Sequence, residues 1–195
     1  MNKLLMNKKV INIINDCKDL NFVLKENEML IVNYYCDNQE STNIKISQTE
    51  NSYFVLNMSC IVKKDCTINI NGNISGNDNR CVINVRCLAQ NNIGTFNVCV
   101  KACEETKDNE IIEDLKGINE DGSIAFIPVL EVDTNEVDAQ HFATIGSFDE
   151  NELFYLQTKG ISLKSAYELL KRSFMYSLFN SEFMAMINKG EDKDE

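Results

Sequence analysis

From about Val10 to Val137 the chain alternates apolar and polar residues with a period of two, and no other feature narrows its fold as much. Phe54, Leu56, Met58, Cys60 and Val62 alternate with Val55, Asn57, Ser59 and Ile61. Cys66, Ile68 and Ile70 alternate with Thr67, Asn69 and Asn71. Cys81, Ile83, Val85 and Cys87 repeat the pattern, as do Phe96, Val98 and Val100. Strict alternation sends successive side chains to opposite faces of an extended strand. The segments start 12 to 15 residues apart, separated by joints rich in Asn, Asp and Gly, such as Asn71-Gly72-Asn73 and Gly76-Asn77-Asp78-Asn79. Short strands at even spacing suit a sandwich or barrel, and equally a solenoid. The quasi-repeat with polar joints, without an Asn-Gly hairpin signal at each of them, favours the solenoid.

The period changes after His141. Asp149 with Glu152 three residues on reads as a helix start, and Leu153, Phe154 and Leu156 as a short apolar face. Gly160 reads as a helix stop and Ser162 as the cap of a longer helix with the stripe Ala166, Leu169, Leu170, Phe174 and Leu178. Glu182 to Asn188 extends or follows that helix. The expected organisation is a β core over 1–148, a helical segment over 149–188 and a flexible acidic tail over 189–195.

A chain of 195 residues is the size of one main body with a small appendage. Its 44% hydrophobic content is too high for a disordered chain. A net charge of −11 excludes a general phosphate-backbone binder, so no nucleic-acid partner is expected. The first residues carry lysines but no apolar core or small-residue cleavage site, and no apolar run approaches the roughly 20 residues that span a bilayer. A soluble, cytoplasmic protein without a membrane partner is expected, and its eight cysteines are then expected as reduced thiols. None of them forms a CxxC pair.

The junction between the two regions carries a specific string. Ile127-Pro128-Val129-Leu130-Glu131-Val132 is followed by Asn135-Glu136-Val137, by His141-Phe142-Ala143-Thr144-Ile145-Gly146, and by Leu153-Phe154-Tyr155-Leu156-Gln157-Thr158-Lys159-Gly160-Ile161. It resembles the SufB/SufD family pattern of P-x-L-E-I, a short acidic turn, H-x-A-T-x-G, then L-F-Y-L-x-S-R-G-I and an amphipathic helix. The likeness covers about Ser123 to Phe179; upstream it is one of character only. It implies a mainly β protein, a right-handed parallel β-helix with C-terminal helices, acting as a non-enzymatic scaffold in SUF-type iron–sulfur cluster assembly. It implies docking of a SufC-type ABC ATPase through those helices and pairing, with itself or with a SufB-type partner, through the end of the β-helix. ATPase activity is expected only in the partner, and any iron–sulfur cluster is expected to be transient, with none tightly bound.

His141, the only histidine, falls on the H-x-A-T position, which the resemblance makes an interface residue that handles clusters. SufB proper has acidic residues on both sides of this histidine, where this chain has Gln140 and Phe142. SufB also bears a cysteine in the stretch that here reads Glu110-Ile111-Ile112-Glu113-Asp114. These departures make the chain SufD-like at the site, or else a divergent minimal member. For the ATPase surface the expectation is Phe154, Tyr155, Tyr167, Leu170, Phe174 and Met175, with exposed residues near Phe154, Tyr155, Tyr167 and Met175 making the contact. Alternation sends Cys60, Cys66, Cys81 and Cys87 inward, where small thiols are ordinary core residues. Cys99 falls on the opposite face from Val98 and Val100, with Cys103 four residues on, and the two are candidate soft-metal ligands set against simple packing. Two other classes compete with the scaffold. One is a stand-alone cluster or metal-binding protein using His141 and cysteines; the other is a solenoid enzyme or carbohydrate binder, against which the absence of Trp counts. No Gly-x-Ser-x-Gly elbow or phosphate-binding G-x-x-x-x-G-K-[ST] loop occurs.

Overall fold

The computed structural model describes residues 6–134 and 136–191. Eleven strands are followed by three helices among these residues: β1 (Asn7–Ile14), β2 (Leu20–Leu24), β3 (Glu28–Cys36), β4 (Thr42–Gln48), β5 (Tyr53–Val62), β6 (Cys66–Ile74), β7 (Arg80–Gln90), β8 (Ile93–Ala102), β9 (Asn109–Glu120), β10 (Ser123–Val132), β11 (Val137–Gly146), α1 (Glu150–Thr158), α2 (Leu163–Tyr176) and α3 (Ser181–Glu191). The odd-numbered strands form one sheet in the order β1-β3-β5-β7-β9-β11, and the even-numbered strands form the other, β2-β4-β6-β8-β10. Each strand pairs in parallel with the strand two before it. The chain therefore alternates between two sheets as it winds, which makes a parallel β-solenoid in which each coil gives one strand to each sheet.

The four alternating segments of the sequence are β5 to β8, and their inward residues stack from coil to coil. Phe54, Cys81 and Ile111 lie in register, as do Cys36, Cys60 and Cys87, and Ile44, Ile70 and Val98. All nine are buried, and with their neighbours they form one continuous core between the sheets. Burying each large apolar side chain contributes about 1.5–3 kcal/mol, so the core rather than strand propensity holds the coils.

Polar residues take over where the backbone leaves the strands. Asn15, Asn27, Asn51, Asp78, Asn91, Asp108 and Asp121 all have positive φ. Asn and Asp tolerate this left-handed conformation best among residues with a side chain, which accounts for the composition of the joints. Asparagines also stack along the strands. Asn33 Nδ2 donates to Asn12 Oδ1 (2.9 Å), Asn57 Nδ2 to Asn33 Oδ1 (3.0 Å) and Asn84 Nδ2 to Asn57 Oδ1 (2.9 Å) on the outer face of the odd-strand sheet. Such ladders satisfy side-chain amides that parallel stacking would otherwise crowd together.

The helices lie on that same outer face. Asp149 caps α1 by accepting from the Asn151 N–H (2.8 Å), Ser162 caps α2 by accepting from the Ser165 N–H (3.2 Å), and Gly160 (φ +83) turns the chain between them. Met175, Phe179, Phe183 and Ile187 pack on Tyr35, Ile61, Leu88 and Ile118, which the strands present side by side. Two expectations are corrected here. Leu169, assigned to the apolar stripe, is 50% exposed, whereas Ala166 of that stripe is buried, Phe174 and Leu178 pack against the contact, and Met175 and the residues after α2 complete it. Residues 189–191, expected to begin a tail, belong to α3; residues 192–195 lie outside the described residues. No helix among the described residues is long and apolar enough to cross a membrane.

Candidate functional site

Because the helices cover a flank, the last rung of the solenoid stays open. β10 and β11 end their sheets, each with a strand on one side only. Free strand edges present unpaired N–H and C=O groups, a ready template for another chain. Apolar residues surround them: Ile127 and Val129 on β10, and Phe142 and Ile145 on β11, are each 40–54% exposed. Phe126, Leu130, Val137 and Ala139 are half-buried against the core.

His141 sits on β11, directly in register with Glu113 of β9, and Glu113 in turn stacks on Ile83 of β7. Ile83 and Glu113 are fully buried, so the three positions belong to the inward-facing set. His141 is exposed because, among the described residues, no further strand follows β11 on its sheet. Glu113 is the unusual member. Neither of its carboxylate oxygens has a hydrogen-bond partner, and burial pushes its pKa up to about 8. A carboxyl in such a setting stays protonated near neutrality unless a cation or donor reaches it. The open end thus presents an imidazole above a buried carboxyl that has no partner. Both are hard-to-borderline ligands for iron.

The sequence singled out His141 but not Glu113. The signal was present: Ile111, Glu113 and Leu115 alternate inward, and a carboxylate at an inward position breaks the pattern. Cys99 and Cys103 lie elsewhere. Cys99 is half-buried on the outer face of β8, between Asn71 and Val129 in register, and Cys103 follows the strand with its thiol donating to Asn73 Oδ1 at 3.5 Å. Among the described residues no three His, Cys, Asp or Glu side chains converge as a metal centre would need.

The residues assigned to ATPase contact separate into two groups. Phe154 and Tyr155 are 67% and 60% exposed, and α1 buries none of its residues. Tyr155 and Leu170 line a groove of about 460 Å³ between α1 and α2, with Asn151, Glu152, Leu156 and Ser173. Tyr167 and Phe174 are half-buried, both edge-on to Phe148 with ring centroids 5.0 and 6.5 Å apart. Met175 is 2% exposed and its sulfur accepts from Ser59 Oγ (3.7 Å), so the contact expected of an exposed Met175 is not available to it. Its side of α2 faces the sheet, and a helix with apolar residues on two sides does not reveal from periodicity which side its own chain will cover.

Residues 50–174 match the family described as SUF system FeS cluster assembly, SufBD core domain. A stretch of 49 residues is 45% identical to an iron–sulfur cluster assembly SufBD family protein of Mycobacterium leprae. That stretch is 25% of this chain and spans only 12% of the length of the relative.

Proposed function

Since the chain belongs to the SufBD core family of the SUF iron–sulfur cluster assembly system, we propose that it is a non-enzymatic scaffold subunit that completes its working site by pairing through its last rung. One observation carries the reading: His141 stands on an uncovered edge strand with Glu113 buried directly beneath it, two ligand-type groups where a centre needs three or four. A second rung facing the first, from another copy or from a SufB-type partner, supplies the remaining groups. The iron–sulfur cluster is cargo in this scheme, held transiently and passed on. The family likeness and the surface of α1 and α2 together support docking of a SufC-type ABC ATPase. Helices this short depend on apolar packing, and Phe154 and Tyr155 remain open to a partner. ATP-driven movement of the docked subunits would then open and close the paired rungs around His141.

The test is co-expression with a SufC-type ATPase, with the mass of the purified complex read by light scattering. Two core chains with two ATPase subunits are expected for the unaltered protein. Phe142→Asp is expected to leave a one-to-one complex, because it charges the pairing edge and not the groove. Tyr155→Asp is expected to leave paired cores without ATPase. An unaltered chain that neither pairs nor retains the ATPase would overturn the proposal.

A further inference from the structure

The opposite end of the solenoid holds a different chemistry. Cys17, in the corner between β1 and β2, has its sulfur 3.3 Å from that of Cys36, the last residue of β3. Cys17 is half-buried and Cys36 is 2% exposed. The two line a cavity of about 370 Å³ with Asn15, Asp37, Asn38 and Glu40. The corner is also held in place. The Thr42 hydroxyl donates to the Cys17 carbonyl (3.0 Å), the Asp37 N–H donates to Asn15 Oδ1 (3.0 Å), and the Tyr34 hydroxyl reaches the Cys17 sulfur (3.7 Å).

We propose that Cys17 and Cys36 form a dithiol modification site, which a low-molecular-weight disulfide converts into an intramolecular Cys17–Cys36 bond. The proposal does not depend on the chain's role in cluster assembly. The cavity admits the small disulfide to Cys17, the more accessible thiol. The Cys17 thiolate attacks one sulfur of the reagent, forming a mixed disulfide and releasing one thiolate. Cys36 then loses its proton to solvent and attacks the Cys17 sulfur, and the second half of the reagent leaves as a thiol. Two protein thiols are oxidised, and one small disulfide is reduced to two thiols. Burial, and then the Cys17 hydrogen bond, push the Cys36 thiol well above the ordinary range, so the second step is the slow one. Adjacent sulfurs in a fixed corner offset this by making the attack intramolecular. The bond fastens the first coil of the solenoid to the end of β3, and a cross-link across that loop acts chiefly on the unfolded chain.

The experiment treats the full-length protein with glutathione disulfide, blocks remaining thiols by alkylation, and maps tryptic peptides. Lys and Arg cleavage gives fragments 10–18 and 26–45, each with one cysteine. The expected product is these two fragments joined, with a higher melting midpoint that reverts on reduction. Cys17→Ser should abolish the joined fragments and the shift without loss of fold, since the half-buried side chain keeps its shape. Cys17 recovered only as a glutathione adduct, or both cysteines recovered alkylated, would overturn the proposal. So would joined fragments in which Cys36 is linked to another cysteine.

Discussion

Glu113 places a carboxyl inside a hydrocarbon stack, with Ile83 beneath it and no hydrogen-bond partner on either oxygen. In the unfolded chain it ionises near 4.5 and in the folded chain near about 8. Below the lower value both states are neutral and nothing is lost. Between the two, the unfolded chain sheds the proton and the folded one keeps it, so stability falls as pH rises, and above the upper value the loss is complete. At about 1.4 kcal/mol per pH unit the fall is on the order of 5 kcal/mol. Glu113→Gln is expected to flatten this dependence. Urea midpoints at about pH 5 and about pH 8.5 should diverge for the natural protein and nearly coincide for the variant. At this scale the sequence was half legible. His141 stood out as the only histidine in a recognisable string, whereas Glu113 is one of 30 acidic residues and stands out only once its strand is known to face inward.

Among the elements, α2 and α3 owe their place to packing rather than to propensity, being 14 and 11 residues long. Phe183 is 1% exposed, with its ring edge-on to Phe179 at 4.8 Å between centroids, and its N–H is capped by Asn180 Oδ1 (2.9 Å). Phe183→Ala should lower stability by about 3–5 kcal/mol in urea denaturation. Helical signal should be lost before strand signal, because the cavity opens in the layer between α3 and the sheet. Strands β5 to β8 were legible to within a few residues, since alternation and polar joints are local properties. The helices' contact face was not. Residues on both sides of α2 are apolar, and which side meets the sheet depends on Tyr35, Ile61, Leu88 and Ile118, drawn from four separate coils.

At the level of the molecule, sandwich and solenoid differ in which strands are neighbours, and strand spacing is silent on that. Parallel pairing of each strand with the one two places earlier settles it. The coils are not equal in length. Along Asn12, Asn33, Asn57 and Asn84 the separation in sequence grows from 21 to 24 to 27, yet the amide contacts stay at 2.9–3.0 Å. The extra residues are therefore taken up where the chain turns, and the ladders keep count. A Gly-Ser pair inserted between Glu104 and Glu105, in the turn after β8, should change the urea midpoint little. The same pair placed between Asn84 and Val85 should unfold the protein, because it shifts every later inward residue of β7 against two neighbouring coils. Growth by unequal increments then has a lineage consequence. A chain of this design lengthens its perimeter by insertions at the turns and its height by whole coils, and both kinds of change leave the chemistry of the final rung where it was.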